Sequence, residues 1–172
     1  MVHEKLKYLF RPASIAVVGA SEKPGPGLQV IENLRALGYE GDIYPVNPKY
    51  ENVLGLACYP SLSAVKAAGH SVDTVAILLG KQNVIPVMEE AAKIGAKAGW
   101  AFAAGFGESG DEGKVLEKQL QDLCKDNDML FLGPNCVGYL NPNDKSGTFS
   151  APAPKEIRAG NIGMVAQSGY LG

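Results

Sequence analysis

Short apolar runs alternate with amphipathic stretches along most of this chain. An apolar run at residues 15–18 stops at Gly19, and a small polar loop follows it. Apolar residues then recur at helical spacing from Leu28 to Leu37. This order predicts a buried strand, a tight turn and a helix.

The same unit recurs further along the sequence. Strands are predicted at residues 42–46, 72–79, 100–104 and 129–132, and helices at 83–96 and 111–125. Pro86 falls in the first turn of its helix, where it is tolerated. The run 72–79 is almost continuously apolar, as expected of a strand covered on both faces. Repeated βα units predict an α/β fold: a Rossmann-like, doubly wound, mainly parallel sheet with helices on both faces.

The character of the sequence changes after residue 141. Residues 142–160 are rich in Pro, Ser, Lys and Ala without sustained periodicity, which predicts an irregular connection. Residues 161–166 then predict a new strand, and 167–172 resemble a second phosphate loop. We therefore expect one domain at 1–141, a connection at 142–160, and the opening strand and loop of a truncated second domain at 161–172. On this interpretation the chain is a fragment.

Composition excludes several functional classes. The 172 residues carry 16 basic and 18 acidic side chains with no basic tract, which argues against nucleic acid and anionic membranes as partners. No apolar run has the length of a membrane span, and no signal peptide is visible. The widely spaced Cys58, Cys124 and Cys136 predict reduced thiols in a cytoplasmic protein. His3 and His70 stand near no cysteine in the sequence, so no metal site is expected.

The turn at Gly19 is the first candidate binding site. Unpaired amides and the helix dipole favour a phosphate at the start of the following helix. A Cβ at Gly19 is expected to occupy the ligand's approach. The glycine spacing is not a clean G-x-G-x-x-G, so an ordinary βα turn remains the alternative.

The end of the second predicted strand distinguishes between nucleotides. NAD-binding folds usually place a carboxylate there for the ribose hydroxyls. Here the strand ends in Asn47, Pro48 and Lys49. A lysine suits the phosphorylated ribose of CoA or NADP, although a solvated turn lysine is the alternative.

Loops rich in small residues follow the predicted strands. They occupy residues 19–24, 46–49, 79–81, 103–108 and 133–136. Ligands of such sheets bind beyond the carboxyl ends of the strands, where small residues permit a close backbone approach. Tight packing between strands and helices would explain one or two of these loops, but less easily all five.

Several of these segments together resemble a known family. The segments at 12–21, 44–48, 105–108, 133–138 and 160–169 look like the N-terminal CoA-binding domain of the NDP-forming acyl-CoA synthetases. That superfamily contains ADP-forming acetyl-CoA synthetase and the α subunit of succinyl-CoA synthetase. The pairing of Gly-Pro-Asn-Cys with a later Gln-Ser-Gly is the most specific feature, and it favours CoA over NADP.

The resemblance implies a set of site residues. It implies that the CoA pyrophosphate lies at Gly19, Ala20, Ser21, Glu22, Lys23 and Pro24. The adenosine end would lie at Val46, Asn47, Pro48 and Lys49, and the pantetheine arm beside Phe102, Ala103 and Ala104. The strand-end residues Leu79, Gly80, Lys81 and Gly105 complete the expected CoA site. Asn135, Cys136, Ser168 and Gly169 would face the chemistry. Ala103 stands where related sequences often have Thr or Ser, which removes one hydrogen bond to the pantetheine arm.

No catalytic residue is expected within this chain. A nucleophilic cysteine needs a lowered pKa and usually a nearby base, and neither histidine forms a recognisable dyad with Cys136. We therefore interpret Cys136 as a packed wall residue, with a nucleophile as the alternative. Neither His3 nor His70 lies at a predicted strand's carboxyl end, so neither is expected to be a phosphohistidine.

The resemblance implies part of an acid–CoA ligase. Such an enzyme interconverts acid, CoA and NTP with acyl-CoA, NDP and phosphate through an acyl phosphate and a phosphohistidine. ATP or another NTP, with Mg, would bind only in further domains or a further subunit, and a homo-oligomer is compatible with this. The alternative is a free-standing, non-catalytic and regulatory CoA-binding module. A third interpretation, an NADP-dependent reductase, has no support, because this sequence lacks the catalytic Tyr-Lys signature of such enzymes. The sequence does not define the acid or the choice between ADP and GDP.

Overall fold

The computed structural model describes residues 2–154 and 156–166. Its strands are β1 (Ser14–Val18), β2 (Asp42–Val46), β3 (Asn52–Val53), β4 (Leu56–Ala57), β5 (Thr74–Ile77), β6 (Ala98–Ala101), β7 (Leu130–Leu132), β8 (Leu140–Asn141) and β9 (Ser146–Gly147). Its α-helices are α1 (Val2–Phe10), α2 (Pro26–Leu37), α3 (Leu62–Ala67), α4 (Val84–Ile94) and α5 (Asp111–Asp126). Short 3-10 turns cover Lys81–Asn83, Gly107–Ser109 and Pro142–Asp144.

Five strands form one parallel sheet in the order β2-β1-β5-β6-β7. The chain builds outward from β1 to β2 and then returns to β5 on the other side of β1. The strand order therefore reverses between β1 and β5, which is the position where ligands of open α/β sheets generally bind. The predicted parallel sheet is confirmed.

Both faces of the sheet are covered. Along β1, Ile15 and Val17 belong to one buried cluster, and Ala16 and Val18 belong to the other. The first cluster includes α2 side chains, and the second includes side chains of α3, α4 and α5. Full burial of each large aliphatic side chain contributes about 1.5–3 kcal/mol. The predicted helices on both faces are thus confirmed.

Three strands are shorter than their apolar runs predict. The runs at 72–79, 100–104 and 129–132 correspond to β5, β6 and β7, and β6 begins before its run. Small residues at 98–99 carry no apolar signal, although Ala98 and Gly99 pair with β5 and β7. One further backbone hydrogen bond follows each strand, from Leu78 to Val18 and from Phe102 to Ile77, before the chain enters the strand-end loops.

The sequence analysis missed α1, α3 and the β3–β4 hairpin. Many residues of α1 are charged, which obscures its apolar face. Helix α3 has only six residues and begins where the Ser61 hydroxyl accepts a hydrogen bond from the Ala64 amide at 3.1 Å. Strands of two residues are too short to display a period.

The strand predicted at 161–166 as the opening of a second domain stays a prediction. These residues form no strand, and the side chains of Ile162, Met164 and Val165 are exposed. Within residues 2–154 and 156–166, no strand pairs with this segment, and an unpaired extended segment has no hydrogen-bond ladder. The predicted loop at 167–172 lies outside the described residues, so the division into domains remains a prediction.

The predicted connection at 142–160 is ordered where it follows the domain. Strand β9 pairs with β8, and Ser146, Thr148 and Ser150 are buried. The buried Asn33 of α2 donates to the carbonyl oxygens of Phe149 and Ala151, both at 2.8 Å.

The Asn33 carboxamide oxygen completes this attachment. It accepts hydrogen bonds from Gln29 Nε2 at 3.1 Å and from the Ala153 amide at 3.3 Å. One side chain therefore fixes residues 149–153 to the helix that begins at the predicted phosphate site.

Asn33→Ala should destabilise the chain. The substitution removes the donors for two carbonyl groups and the acceptor for the N–H groups of Gln29 and Ala153, and should lower the free energy of unfolding by about 1–3 kcal/mol. Urea denaturation measures the loss. The exposed neighbour Glu32 gives the control, because Glu32→Ala should change stability by less than about 0.5 kcal/mol. Equal stabilities for the two variants would contradict this role for Asn33.

Candidate functional site

Gly19 turns the chain out of β1 at the point where the strand order reverses. Its φ is +91°, a conformation that favours glycine. Its amide donates to the Val46 carbonyl at 2.9 Å, which continues the β1–β2 ladder by one residue. A Cβ on Gly19 would lie 2.8 Å from the carbonyl oxygen of Leu78. This Cβ would thus meet the loop that follows β5, and the expectation that it would also meet the ligand stays a prediction.

Gly27 brings the start of α2 against this turn. A Cβ on Gly27 would lie 2.2 Å from the Gly19 carbonyl oxygen, so only glycine permits this approach. The helix begins at Pro26 without a side-chain cap on Gly25, and its first turn contains no acidic residue. An uncapped helix start without acids retains its amides and positive dipole for an anion.

Asn47 joins the loops after β1 and β2. Its side-chain amide donates to the Ala20 carbonyl at 2.8 Å, and its Oδ1 accepts from the Lys49 amide at 3.0 Å. Its own amide donates to the Tyr59 carbonyl at 2.9 Å. Asn47 therefore has a structural role in addition to its predicted contact with the ligand.

Three lysines are available on this edge of the sheet. Lys23, Lys49 and Lys81 are exposed, and none makes an ion pair with a carboxylate of the described residues. They follow β1, β2 and β5, respectively, which are neighbouring strands. Lys23 and Lys49 can therefore direct their positive charge to an anionic ligand, whereas the charge of Lys81 also acts on the nearby carboxylate of Glu108.

The hairpin of β3 and β4 supports the first loop, a contact that the sequence analysis missed. Tyr50 and Ser21 share a hydroxyl hydrogen bond of 3.3 Å, and Ser21 Oγ also accepts from the Lys23 amide at 2.9 Å. The Glu22 carboxylate accepts from the Leu54 amide at 3.3 Å. Glu22 thus points toward the hairpin. No local signal in the sequence indicates this, because the partners are separated by about thirty residues.

The loop after β6 alternates between core and solvent. Phe102 is 41% exposed, whereas Ala103 is 6% exposed and packs in the core. The exposed Ala104 follows it. Phe102 and Ala104 can therefore contact a ligand through their side chains, whereas Ala103 offers its backbone. Ala20 and Val46 are also buried, so they too can contribute only backbone.

Asn135 and Cys136 lie beside this loop. Asn135 has a φ of +55°, and its amide donates to the Ala103 carbonyl at 2.9 Å. Cys136 is half-buried, and its sulfur accepts from the Gly138 amide at 3.4 Å. This packing supports the interpretation of Cys136 as a wall residue.

The other predicted residues lie on the same edge or outside the described residues. Pro24, Pro48, Leu79 and Gly80 belong to the strand-end loops, and Gly105 follows β6. Ser168 and Gly169 lie outside the described residues. Glu108, which no prediction assigned, accepts hydrogen bonds from Gly105 and Asn135.

His70 lies at the opposite end of the sheet, before β5. Its Nε2 is 2.9 Å from the Tyr59 hydroxyl, and its ring stacks on Tyr44 at 4.8 Å. These contacts give His70 a packing role beside Tyr44 and Tyr59. His3 lies within α1, which precedes β1.

The three cysteines are free thiols. Burial raises the pKa of Cys58, and it raises the pKa of Cys124 to about 11. Both thiols therefore remain protonated at neutral pH. Within the described part of the chain, no three His, Cys, Asp or Glu residues are grouped to hold a metal ion. None of its helices is long and apolar enough to cross a membrane.

Curated relatives align along almost the whole chain. It is 39% identical over 170 residues to the α subunit of ADP-forming acetate–CoA ligase II from Pyrococcus furiosus, covering 97% of this chain and 35% of the relative. It is 38% identical over 169 residues to ADP-forming acetate–CoA ligase II from Archaeoglobus fulgidus, covering 97% and 24%. The chain therefore spans about a quarter to a third of the length of these relatives.

A relative with a different acid aligns over the same region. The ADP-forming 4-hydroxybutyrate–CoA ligase of Nitrosopumilus maritimus is 36% identical over 167 residues, covering 95% of this chain and 23% of the relative.

Solved structures share the fold at two different chain lengths. Dinucleotide-forming acetyl-coenzyme A synthetase 1 from Ca. Korarchaeum cryptofilum, in complex with phosphate and ADP, superposes with a TM-score of 0.86 at 36% identity, covering 96% of this chain and 34% of that chain. A hypothetical protein from Pyrococcus horikoshii superposes with a TM-score of 0.60 at 28% identity, covering 79% and 86%.

A family of domains also matches most of the chain. The sequence profile of the CoA binding domain matches residues 13–142, which run from the start of β1 through β8 and include every strand of the parallel sheet. The chain therefore belongs to the CoA binding domain family.

Proposed function

We propose that this chain is the CoA-binding part of an NDP-forming acyl-CoA synthetase. The observation that carries the proposal is the uncapped, acid-free start of α2, on the same edge of the sheet as the exposed Lys23, Lys49 and Lys81, which form no salt bridge within the described residues. CoA carries a pyrophosphate and a 3′-phosphate, and these anions need amides and cations arranged in this way. The identity to ADP-forming acetate–CoA ligases along almost the whole chain supports the same conclusion.

CoA would lie along the strand-end loops from β2 to β7. Its pyrophosphate would bind the amides at the start of α2, with Lys23 nearby. Lys49, beyond β2, would bind the phosphorylated ribose. The pantetheine arm would then run past Phe102, whose exposed ring offers an apolar surface, toward Asn135 and Cys136.

The ligase reaction needs groups that this part does not supply. Interconversion of acid, CoA and NTP with acyl-CoA, NDP and phosphate passes through an acyl phosphate and a phosphohistidine in this proposal. The phosphohistidine and the site for ATP or another NTP with Mg would belong to further domains or a further subunit. We propose a cytoplasmic enzyme, in keeping with its three free cysteines.

The acid would be selected outside this region. Relatives that activate acetate and 4-hydroxybutyrate, by their names, align with the same part of this chain at similar identity. A pocket that distinguishes such acids is therefore expected in the rest of the ligase.

A free-standing CoA-binding protein is the second candidate. The structure from Pyrococcus horikoshii supports it, because this chain covers 86% of that chain at a TM-score of 0.60. A fold of this kind thus occurs in a chain of similar size. Both candidates require CoA binding, and they differ in whether the chain completes its function with further domains.

Lys49→Ala should weaken CoA binding. A charge-assisted hydrogen bond contributes roughly 1.5–3 kcal/mol, so calorimetry should find CoA bound about ten- to a hundredfold more weakly. The unchanged chain should bind dephospho-CoA about as weakly as the Lys49→Ala variant binds CoA. The substitution should have little further effect on the affinity for dephospho-CoA. Lys97→Ala, an exposed lysine at the opposite end of β6, should leave CoA binding unchanged. Equal affinities of the unchanged chain for CoA and dephospho-CoA would show that Lys49 does not bind the 3′-phosphate.

The isolated chain should catalyse no turnover. Acid activation needs a nucleotide site, a phosphoryl carrier and the CoA thiol together, and the chain offers a candidate site only for CoA. With labelled ATP, magnesium, CoA and acetate, we expect no labelled protein and no acyl-CoA. His70→Asn is the control, because acid-labile label that this variant loses would make His70 a phosphoryl carrier and contradict the proposal.

A further inference from the structure

Three neighbouring strand-end loops converge on the carboxylate of Glu108. Oε1 of Glu108 accepts hydrogen bonds from the Gly105 amide at 2.6 Å and from Asn135 Nδ2 at 3.3 Å. Gly105 follows β6 and Asn135 follows β7. Lys81, which follows β5, lies against the same glycine, because a Cβ on Gly105 would be 2.6 Å from Lys81 Cδ and 3.3 Å from its Nζ.

The carboxylate remains ionised at neutral pH. The Gly105 amide lowers the pKa of Glu108 below its usual range, and the charge of Lys81 adds a smaller effect in the same direction. An ionised carboxylate only accepts hydrogen bonds, so its partners must present N–H groups to it.

This requirement fixes the orientation of the Asn135 carboxamide. Nδ2 must face Glu108, and Oδ1 must therefore point elsewhere. The backbone of Asn135 is held at the same time by the Ala103 carbonyl and by its φ of +55°. Backbone and side chain are thus both restrained at the end of the site predicted for the pantetheine arm.

We infer that Glu108 is a positioning residue for the pantetheine arm of CoA, acting through the Asn135 carboxamide and the Gly105 backbone. The inference rests on the proposed function. Pantetheine carries two amide groups, and a carboxamide with a fixed donor and acceptor can recognise one of them. Glu108 itself need not touch the ligand.

Glu117 of α5 provides a matched control, because it binds the same loop. Its carboxylate accepts a hydrogen bond from the Gly107 amide at 3.0 Å, two residues from Gly105. Like Glu108 it supports the loop after β6. Unlike Glu108, it has no hydrogen bond to the loop that follows β7.

The test compares two ligands by calorimetry. CoA carries the pantetheine arm, whereas adenosine 3′,5′-bisphosphate carries the phosphorylated ribose without it. Glu108→Ala should bind CoA about tenfold more weakly, the effect of one lost hydrogen bond, and should bind the bisphosphate as the unchanged chain does. Glu117→Ala should bind both ligands normally. Glu108→Gln keeps an acceptor oxygen and should restore most of the CoA affinity.

Several outcomes would overturn the inference. Normal CoA binding by Glu108→Ala, an equal loss for both ligands, or no rescue by Glu108→Gln would each do so. The unchanged chain provides the separate check on the proposed function: if it fails to bind CoA, the proposed function fails, whatever the variants do.

A second variant keeps the inference testable if Glu108→Ala does not fold. Asn135→Gly removes the carboxamide while tolerating the positive φ, and should give the same selective loss for CoA. If the variants fold, a chain carrying both Glu108→Ala and Asn135→Gly should lose no more affinity for CoA than either single variant. Additive losses, or normal CoA binding by Asn135→Gly, would contradict the coupling.

Discussion

The candidate anion site depends on a close approach between two glycines. The carbonyl oxygen of Gly19 occupies space that a Cβ on Gly27 would need, at 2.2 Å. This contact sets the start of α2 directly over the turn that ends β1. Because Gly19 also lies against the Leu78 carbonyl, one turn fixes the relation of β1, α2 and β5. The anion site depends on that relation, since an amide can meet a phosphate only where no side chain intervenes.

Acidic and basic side chains at the carboxyl ends of the strands have different roles. The carboxylates of Glu22 and Glu108 accept hydrogen bonds from backbone amides, so they support the loops. The lysines Lys23, Lys49 and Lys81 make no ion pair with the described residues and remain exposed. The exposed ammonium groups can therefore reach a ligand, whereas these two carboxylates are directed toward backbone amides of the protein.

The helix that begins at the candidate site is also the anchor for the C-terminal part of the chain. Asn33 lies on α2, about two turns after its start, and its carboxamide holds residues 149–153. Whatever follows this segment in a longer protein would begin from a position fixed relative to the anion site. A buried polar side chain with all its groups satisfied favours one arrangement over others, because each alternative leaves a donor or acceptor unpaired.

The sequence by itself determined the alternation of strands and helices, the parallel sheet and the edge on which a ligand would bind. Each of these follows from local periodicity and from the geometry of parallel strands. The resemblance to a family also led to the CoA assignment before any contact was known. The start of β6 does not follow from the sequence, since Ala98 and Gly99 have no apolar signature although they pair with β5 and β7.

Only the tertiary structure decided which groups meet at the site. It turned Ala103 into the core and left Phe102 outside, directed Glu22 toward the β3–β4 hairpin, and brought Glu108 to Asn135. It also left residues 161–166 without a strand partner among the described residues. These contacts join residues that are distant in sequence. They form only because the spatial order of the strands brings their loops together. No local pattern encodes that order, so the contacts could not be derived from periodicity.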